Sequence, residues 1–272
     1  MRRSRMAPAL RGVCQGIALV LIAGSAPAEE EPIPFVGPPK PPPPLVLKKY
    51  AGDIFGLAPF VLEIPLDDDG DGFSDRVAMP FLRNFEDPDC FRLDRTGNTI
   101  LFRVRSDDPR MKDESFPRSE LREQSKQVDT PAAWSTSDGL VRTLSIAMSF
   151  TRLPTEVPVS ALSLHGDQGE VLAVRHEGDR KGRVVLSRRE LDPVVLAENY
   201  ETGKTVEILL VLSKGTANLL VESKSLAEWP LEGKGLQFRA GCVLERAPET
   251  GAGTRTLAEV SIAKLYLTHK SR

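Results

Sequence analysis

The sequence predicts an all-β fold, a sandwich or jelly roll of two antiparallel sheets. Three observations carry that expectation. Short apolar runs of strand length recur from about residue 60 to the C-terminus, separated by Gly- and Asp-rich turns. No stretch shows the sustained helical periodicity with caps that a helix requires. The 272 residues are 40% hydrophobic, enough for the core of one domain of roughly 200–250 residues, a usual sandwich size. No internal repeat interrupts the pattern.

The N-terminus reads as a signal peptide over residues 1–28. Arg2, Arg3, Arg5 and Arg11 precede the apolar run Ile17–Ala23, and Ala26-Pro27-Ala28 supplies a cleavage site. The run is too short to span a bilayer as a permanent helix, and Cys14 lacks a lipobox. The expected destination is the periplasm or the exterior, with no membrane contact after cleavage. Removing residues 1–28 takes four arginines and no acids, so 36 basic residues become 32 against 38 acidic ones, a net charge of −6. That balance argues against a nucleic-acid partner; an anionic ligand would need a local basic cleft. Cys90 and Cys242 remain, as a disulfide or as two buried free thiols.

Residues 29–53 hold Pro32, Pro34, Pro38, Pro39 and the run Pro41–Pro44, the composition of an extended spacer. The domain is expected over 54–272. Phe60–Pro65 reads as its first strand and Thr99–Val104 as another. Phe116–Glu123 is treated as a further strand. Leu140–Phe150, Val157–Leu164, Glu170–His176 and Arg183–Ser187 follow. Thr205–Leu212 and Ala217–Glu222 flank the hairpin signal Ser213-Lys214-Gly215-Thr216, and Gln237–Leu244 and Leu257–His269 close the chain.

Four segments carry chemistry. In Pro117-Arg118-Ser119-Glu120-Leu121-Arg122-Glu123, Arg118, Glu120 and Arg122 fall at i, i+2 and i+4, on one strand face, with Ser119 and Leu121 on the other. Two guanidiniums about a carboxylate suit planar anions such as sugar carboxylates; an ion-pair ladder on a solvated face is the plainer alternative. In Ser163-Leu164-His165-Gly166-Asp167, Ser163 and His165 share a face, and a neutral imidazole is a common general base, though a lone histidine is often merely packed. His176 and His269 have no such context. Gln237, Arg239, Gly241 and Val243 alternate with core-type Phe238, Ala240 and Cys242, so Arg239 is either a ligand for a carboxylate or one more surface cation. Asp67, Asp69, Asp71 and Asp75, with Gly70 and Gly72, have the opening spacing of a calcium loop. Position twelve is Ala78 where such a loop carries a bidentate glutamate, so a structural calcium and an acidic surface turn both remain open.

Three of these segments resemble, in order, the alginate lyases of polysaccharide lyase family 7. Arg118–Arg122 is similar to the family's R-S/T-E-L-R signature, Ser163–Asp167 to its Q-I-H-G-D segment, and Gln237–Gly241 to its Y-F-K-A-G segment. Leu62–Asp67 and Ala263–Lys270 are similar to its opening and closing strands, so the resemblance spans about residues 57–270. It implies a concanavalin A-like jelly roll whose motifs line one concave sheet, a monomer that needs no cofactor, and an acidic polysaccharide (alginate or a related polyuronate) as partner. It implies that uronate chains are cut by β-elimination, with His165 and Arg118 catalytic. Glu120, Arg122, Ser163, Gln237, Arg239 and Val243 would then form the substrate groove. Two positions depart from the pattern. Ser163 stands where the family has the glutamine that helps neutralise the carboxylate, and Val243 stands where it has the catalytic tyrosine. A non-catalytic binding module is therefore the alternative reading. A glycoside hydrolase would need two facing carboxylates a few ångströms apart, and no strand of that kind is present.

Overall fold

The computed structural model describes residues 50–125, 130–155, 157–178, 181–245 and 256–271. The segments read as signal peptide and proline-rich spacer lie outside them, apart from Tyr50–Asp53. The described strands in chain order are β1 (Phe60–Ile64), β2 (Asp75–Val77), β3 (Phe91–Leu93), β4 (Ile100–Arg105), β5 (Arg118–Glu123), β6 (Val141–Arg152), β7 (Val159–Gly166) and β8 (Gly169–Glu177). They continue with β9 (Arg183–Arg188), β10 (Leu191–Ala197), β11 (Val206–Ser213), β12 (Thr216–Val221), β13 (Lys224–Pro230), β14 (Gln237–Leu244) and β15 (Leu257–Lys270). Short 3₁₀ turns occupy Ala51–Asp53 and Phe81–Asn84, and no described residue lies in an α-helix. Accordingly no helix among the described residues is long and apolar enough to cross a membrane.

Two antiparallel sheets form the sandwich. The eight-stranded sheet has the order β10-β9-β8-β7-β14-β5-β1-β2, and the seven-stranded sheet β13-β12-β11-β6-β15-β4-β3. The expected all-β jelly roll is therefore the observed fold. Four strands, β2, β3, β10 and β13, were not anticipated, and the structure puts them at the four edges of the two sheets.

Strand alternation builds the core. Leu121 on β5, Leu162 and Leu164 on β7, and Phe238, Ala240 and Cys242 on β14 turn inward against Ile100, Phe102 and Val104 on β4 and Leu144, Ile146 and Met148 on β6. Burying each such side chain contributes about 1.5–3 kcal/mol. Ala51, just upstream of the expected domain start, is already fully buried in this core. Cys90 and Cys242 are free thiols, both buried, and burial pushes both well above the ordinary thiol value.

Two polar features tie the layers together. Glu123 is buried and accepts from the Trp134 indole nitrogen at 3.1 Å and from the Phe238 amide at 2.9 Å, while its other oxygen meets His269 on β15 at 2.8 Å. His176 lies between the rings of Phe150 and Tyr200, each centroid 5.8 Å away, with neither ring nitrogen partnered. The two histidines set aside at the sequence level are thus structural.

β14 differs from the other long strands. All eight of its residues are buried, because its inner face meets the core and its outer face is covered by charged side chains from neighbouring strands and one loop.

Candidate active site

β5 and β14 are adjacent, with Arg239 opposite Arg122, Gly241 opposite Glu120 and Val243 opposite Arg118. Alternation puts Arg118, Glu120 and Arg122 on the outer face, as expected, while Leu121 enters the core and the Ser119 hydroxyl donates to the Cys90 carbonyl at 2.8 Å. Gly241 permits this approach. A Cβ there would sit 2.3 Å from the Ser119 carbonyl oxygen and 2.6 Å from the Glu120 Cα, so no other residue fits without shifting backbone.

The outer face is not the solvated ladder of the plainer alternative. Arg118 and Arg239 are each 4% exposed and Glu120 is 2% exposed. With Glu114 they form a closed ring of alternating charge. Arg118 reaches Glu120 Oε2 at 3.1 Å and Glu114 Oε2 at 2.8 Å. Arg239 reaches Glu114 Oε1 at 2.8 Å and lies 3.8 Å from Glu120 Oε2. The Nε atoms of both arginines are buried without a partner. Burial pushes the Glu120 carboxyl up against the pull of both arginines. Burial also pushes Glu114 up, but Arg118 and Arg239 outweigh it and hold Glu114 below the ordinary carboxylate value.

β7 flanks β14 on the other side, with His165 opposite Gln237 and Ser163 opposite Arg239. His165, Ser163, Arg118, Glu120, Glu114 and Val243 line one cavity of about 200 Å³. Ser160, three residues from Ser163, lines it too, because the pairing of β7 shifts register there. Burial, reinforced by Arg239, lowers the His165 pKa to about 3, with Glu114 opposing. At neutral pH the imidazole is therefore uncharged and offers a lone pair to the cavity. Val243 is buried yet stands outside the core cluster, so the cavity wall there is aliphatic. No tyrosine lines this cavity: Tyr200 packs in the core, and Tyr266 is exposed on β15 of the other sheet.

Arg122 and Gln237 share the face but serve a neighbouring site. Arg122 donates to Gln237 Oε1 at 2.8 Å and to Glu63 Oε1 at 3.2 Å, and Glu63 also holds Arg76 at 3.2 Å. Arg76 and Arg122 border a second cavity of about 330 Å³ with Val61, Gln124 and Pro131. Burial lowers the Arg122 pKa against the opposing effect of Glu63.

Sequence reasoning missed four charged residues of the first cavity: Glu114, Glu170, Arg175 and Glu245. Arg175 reaches Glu245 at 2.6 Å and also bonds Glu170 and Ser187. Glu245 was within reach of the alternation rule, since it extends the series Gln237, Arg239, Gly241, Val243 by two. Glu114 carries no periodic signal because it sits in the loop before β5.

Ligand atoms of Asp67, Asp69 and Asp71 lie within 4.8 Å of one another. Asp75 does not join them; its Oδ2 accepts the Asp68 amide at 2.7 Å. Loop amides already occupy the others, with Gly72 donating to Asp67, Asp71 to Asp69 and Phe73 to Asp71.

Comparison with known proteins relates the chain and its fold to a family. No curated protein matches the chain by sequence. Among solved structures, alginate lyase AlgAT5 of polysaccharide lyase family 7 superposes with a TM-score of 0.73 at 23% identity, covering 81% of this chain and 99% of that one. An alginate lyase from Corynebacterium sp. gives 0.73 at 19% identity, covering 82% and 99%. One from Klebsiella pneumoniae gives 0.68 at 19%, again covering 82% and 99%. At such identities these likenesses establish the fold. The family profile described as alginate lyase matches residues 55–269, nearly the whole folded region, and on that ground the chain belongs to the alginate lyase family.

Proposed function

We propose that this protein is an exported, monomeric lyase that cuts alginate or a related polyuronate by β-elimination. One observation carries the reading: Arg118, Ser163 and His165 line a single cavity, and Arg239, on the strand between theirs, bonds the Glu114 carboxylate that lines it too. A uronate carboxylate between Arg118 and Arg239 would have its charge neutralised, which stabilises the enolate-like charge that develops when the neighbouring C5–H bond breaks. His165 takes that proton. The electron pair forms the C4=C5 double bond as the C4–O bond to the preceding sugar breaks, and a water protonates the departing oxygen. Val243 has no proton to give, so this last step is the slow one.

No cofactor enters this chemistry. Calcium, if it binds Asp67, Asp69 and Asp71, acts on that turn alone, and a chelator leaves cleavage unchanged. Export rests on residues 1–28, and a mature N-terminus at Glu29 in a culture supernatant or periplasmic extract would support it.

Val243 and Ser163 favour the second reading, a non-catalytic module that keeps the groove and binds the polymer. The ultraviolet absorbance of the unsaturated end separates the two. A rise on polymannuronate, polyguluronate or glucuronan supports the lyase. Retention on an alginate column with no rise selects the binding module, and the absence of both retention and rise removes the uronate reading.

A further inference from the structure

Glu114 occupies the arginine pair in the manner expected of a ligand. It gives Oε1 to Arg239 and Oε2 to Arg118, each at 2.8 Å. One carboxylate bridging two guanidiniums, an oxygen to each, is the arrangement in which a sugar carboxylate would be held by the same two side chains. Glu120, the other acid of the ring, meets both arginines through the single oxygen Oε2, at 3.1 and 3.8 Å. It is fixed in register on β5, is almost completely buried and belongs to the sheet. The Glu114 side chain is 27% exposed and comes from a loop, so it caps the arginines from the cavity side.

The segment that brings Glu114 is short. Residues 112–116 run between buried Met111 and buried Pro117, and Lys112, Asp113 and Ser115 are exposed. Two hydrogen bonds shape it: the Glu114 amide to the Met111 carbonyl at 3.0 Å, and Arg110 to the Ser115 carbonyl at 3.0 Å. Neither involves the Glu114 carboxylate. Rotation of that one side chain would uncover both guanidiniums on the cavity side, with Glu120 still behind them, while the backbone stayed in place.

We infer that Glu114 is a built-in competitor for the substrate carboxylate, which a uronate must displace from Arg118 and Arg239 before it can sit in the cavity. This rests on the uronate reading above and adds to it a determinant of selectivity. A neutral sugar has nothing to exchange for Glu114. A single uronate trades one carboxylate for another with little net gain. An oligomer meets the competition once and adds contacts along the neighbouring Arg122 and Arg76 cavity, so the device favours acidic chains over acidic monomers.

The test is calorimetric binding of a mannuronate and a guluronate tetrasaccharide to wild type and Glu114→Gln. The amide keeps the shape but leaves the arginines one negative charge short. A charge-assisted bond is worth about ten- to a hundredfold in affinity, so Glu114→Gln is expected to bind on the order of tenfold more tightly. Should Glu114→Gln not fold, Glu114→Asp serves: it is one methylene too short to bridge both guanidiniums, and a severalfold tightening is expected. A wild type that binds as tightly as the variant, or more tightly, overturns the inference and leaves the uronate site standing. Absence of binding in wild type and folded variant alike overturns the uronate reading and the inference together.

Discussion

The two ends of the charged face on the eight-stranded sheet are built from the same residue types and differ in burial. At one end Arg118, Glu120 and Arg239 are each almost fully enclosed and close a ring with Glu114. At the other end Glu63 is equally enclosed, but its partner Arg76 has a side chain 52% exposed, and Arg122 is divided between Glu63 and Gln237. A buried ring excludes water and fixes each guanidinium, which makes its charge strong and directional toward whatever enters the cavity. An exposed pair is screened and free to move. Under the proposed function, chemistry belongs to the first end and loose binding of the flanking chain to the second.

The largest expected effect tests that difference in burial. Glu120→Ala leaves two enclosed guanidiniums with one acid between them, and breaking a buried pair this way costs about 3–5 kcal/mol. Arg76→Ala at the open end should cost no more than about 1 kcal/mol. Urea midpoints measured on both variants check this, and equal losses would erase the distinction between the ends.

Next is the wall at Val243. General acid–base catalysis contributes about 10²–10⁴-fold, so Val243→Tyr, which adds a phenol to the cavity that Arg118 and His165 line, should raise elimination by a large part of that factor. The product's absorbance reads it. Because Val243 stands outside the core cluster, the added bulk should cost little stability. A folded, uronate-binding variant with no gain would show that Ser163, in place of the expected glutamine, limits the chemistry.

How much of this was legible in the sequence follows from where each residue sits. The faces of Arg118, Glu120 and Arg122, and of Gln237, Arg239 and Val243, follow from a period of two within strands whose other face is apolar, and alternation settles that. Missing from the sequence reading were the four sheet edges β2, β3, β10 and β13. Edge strands have only one neighbour, need not alternate, and tolerate a residue such as Pro193 that a central strand rejects. Glu114, Arg175 and Glu170 escaped for a related reason: their roles depend on which strands lie side by side and on how one loop folds back. Neither fact is written in local spacing.

A smaller effect concerns pH. His165 in the folded chain has its pKa lowered to about 3 from an ordinary 6.5, so between those values the unfolded chain binds a proton that the folded chain does not. Stability from this group is complete above about pH 6.5 and declines as pH falls toward 3. His176, lowered by its own burial, acts in the same direction. His165→Asn should flatten the acid side of a plot of stability against pH, leaving the His176 part. Cleavage that depends on neutral His165 should likewise show no acid limb near pH 6.5.

The central claim is that Arg118 and Arg239 hold a uronate carboxylate. Calorimetric titration of wild type and Arg239→Ala with a mannuronate tetrasaccharide, and with the same sugar after its carboxyls are reduced to alcohols, tests it most directly. Wild type is expected to bind the acid and not the alcohol. Arg239→Ala is expected to lose about 1.5–3 kcal/mol for the acid, or one to two decades in affinity. Equal affinity of wild type for the acidic and reduced sugars, or an undiminished Arg239→Ala, would contradict it.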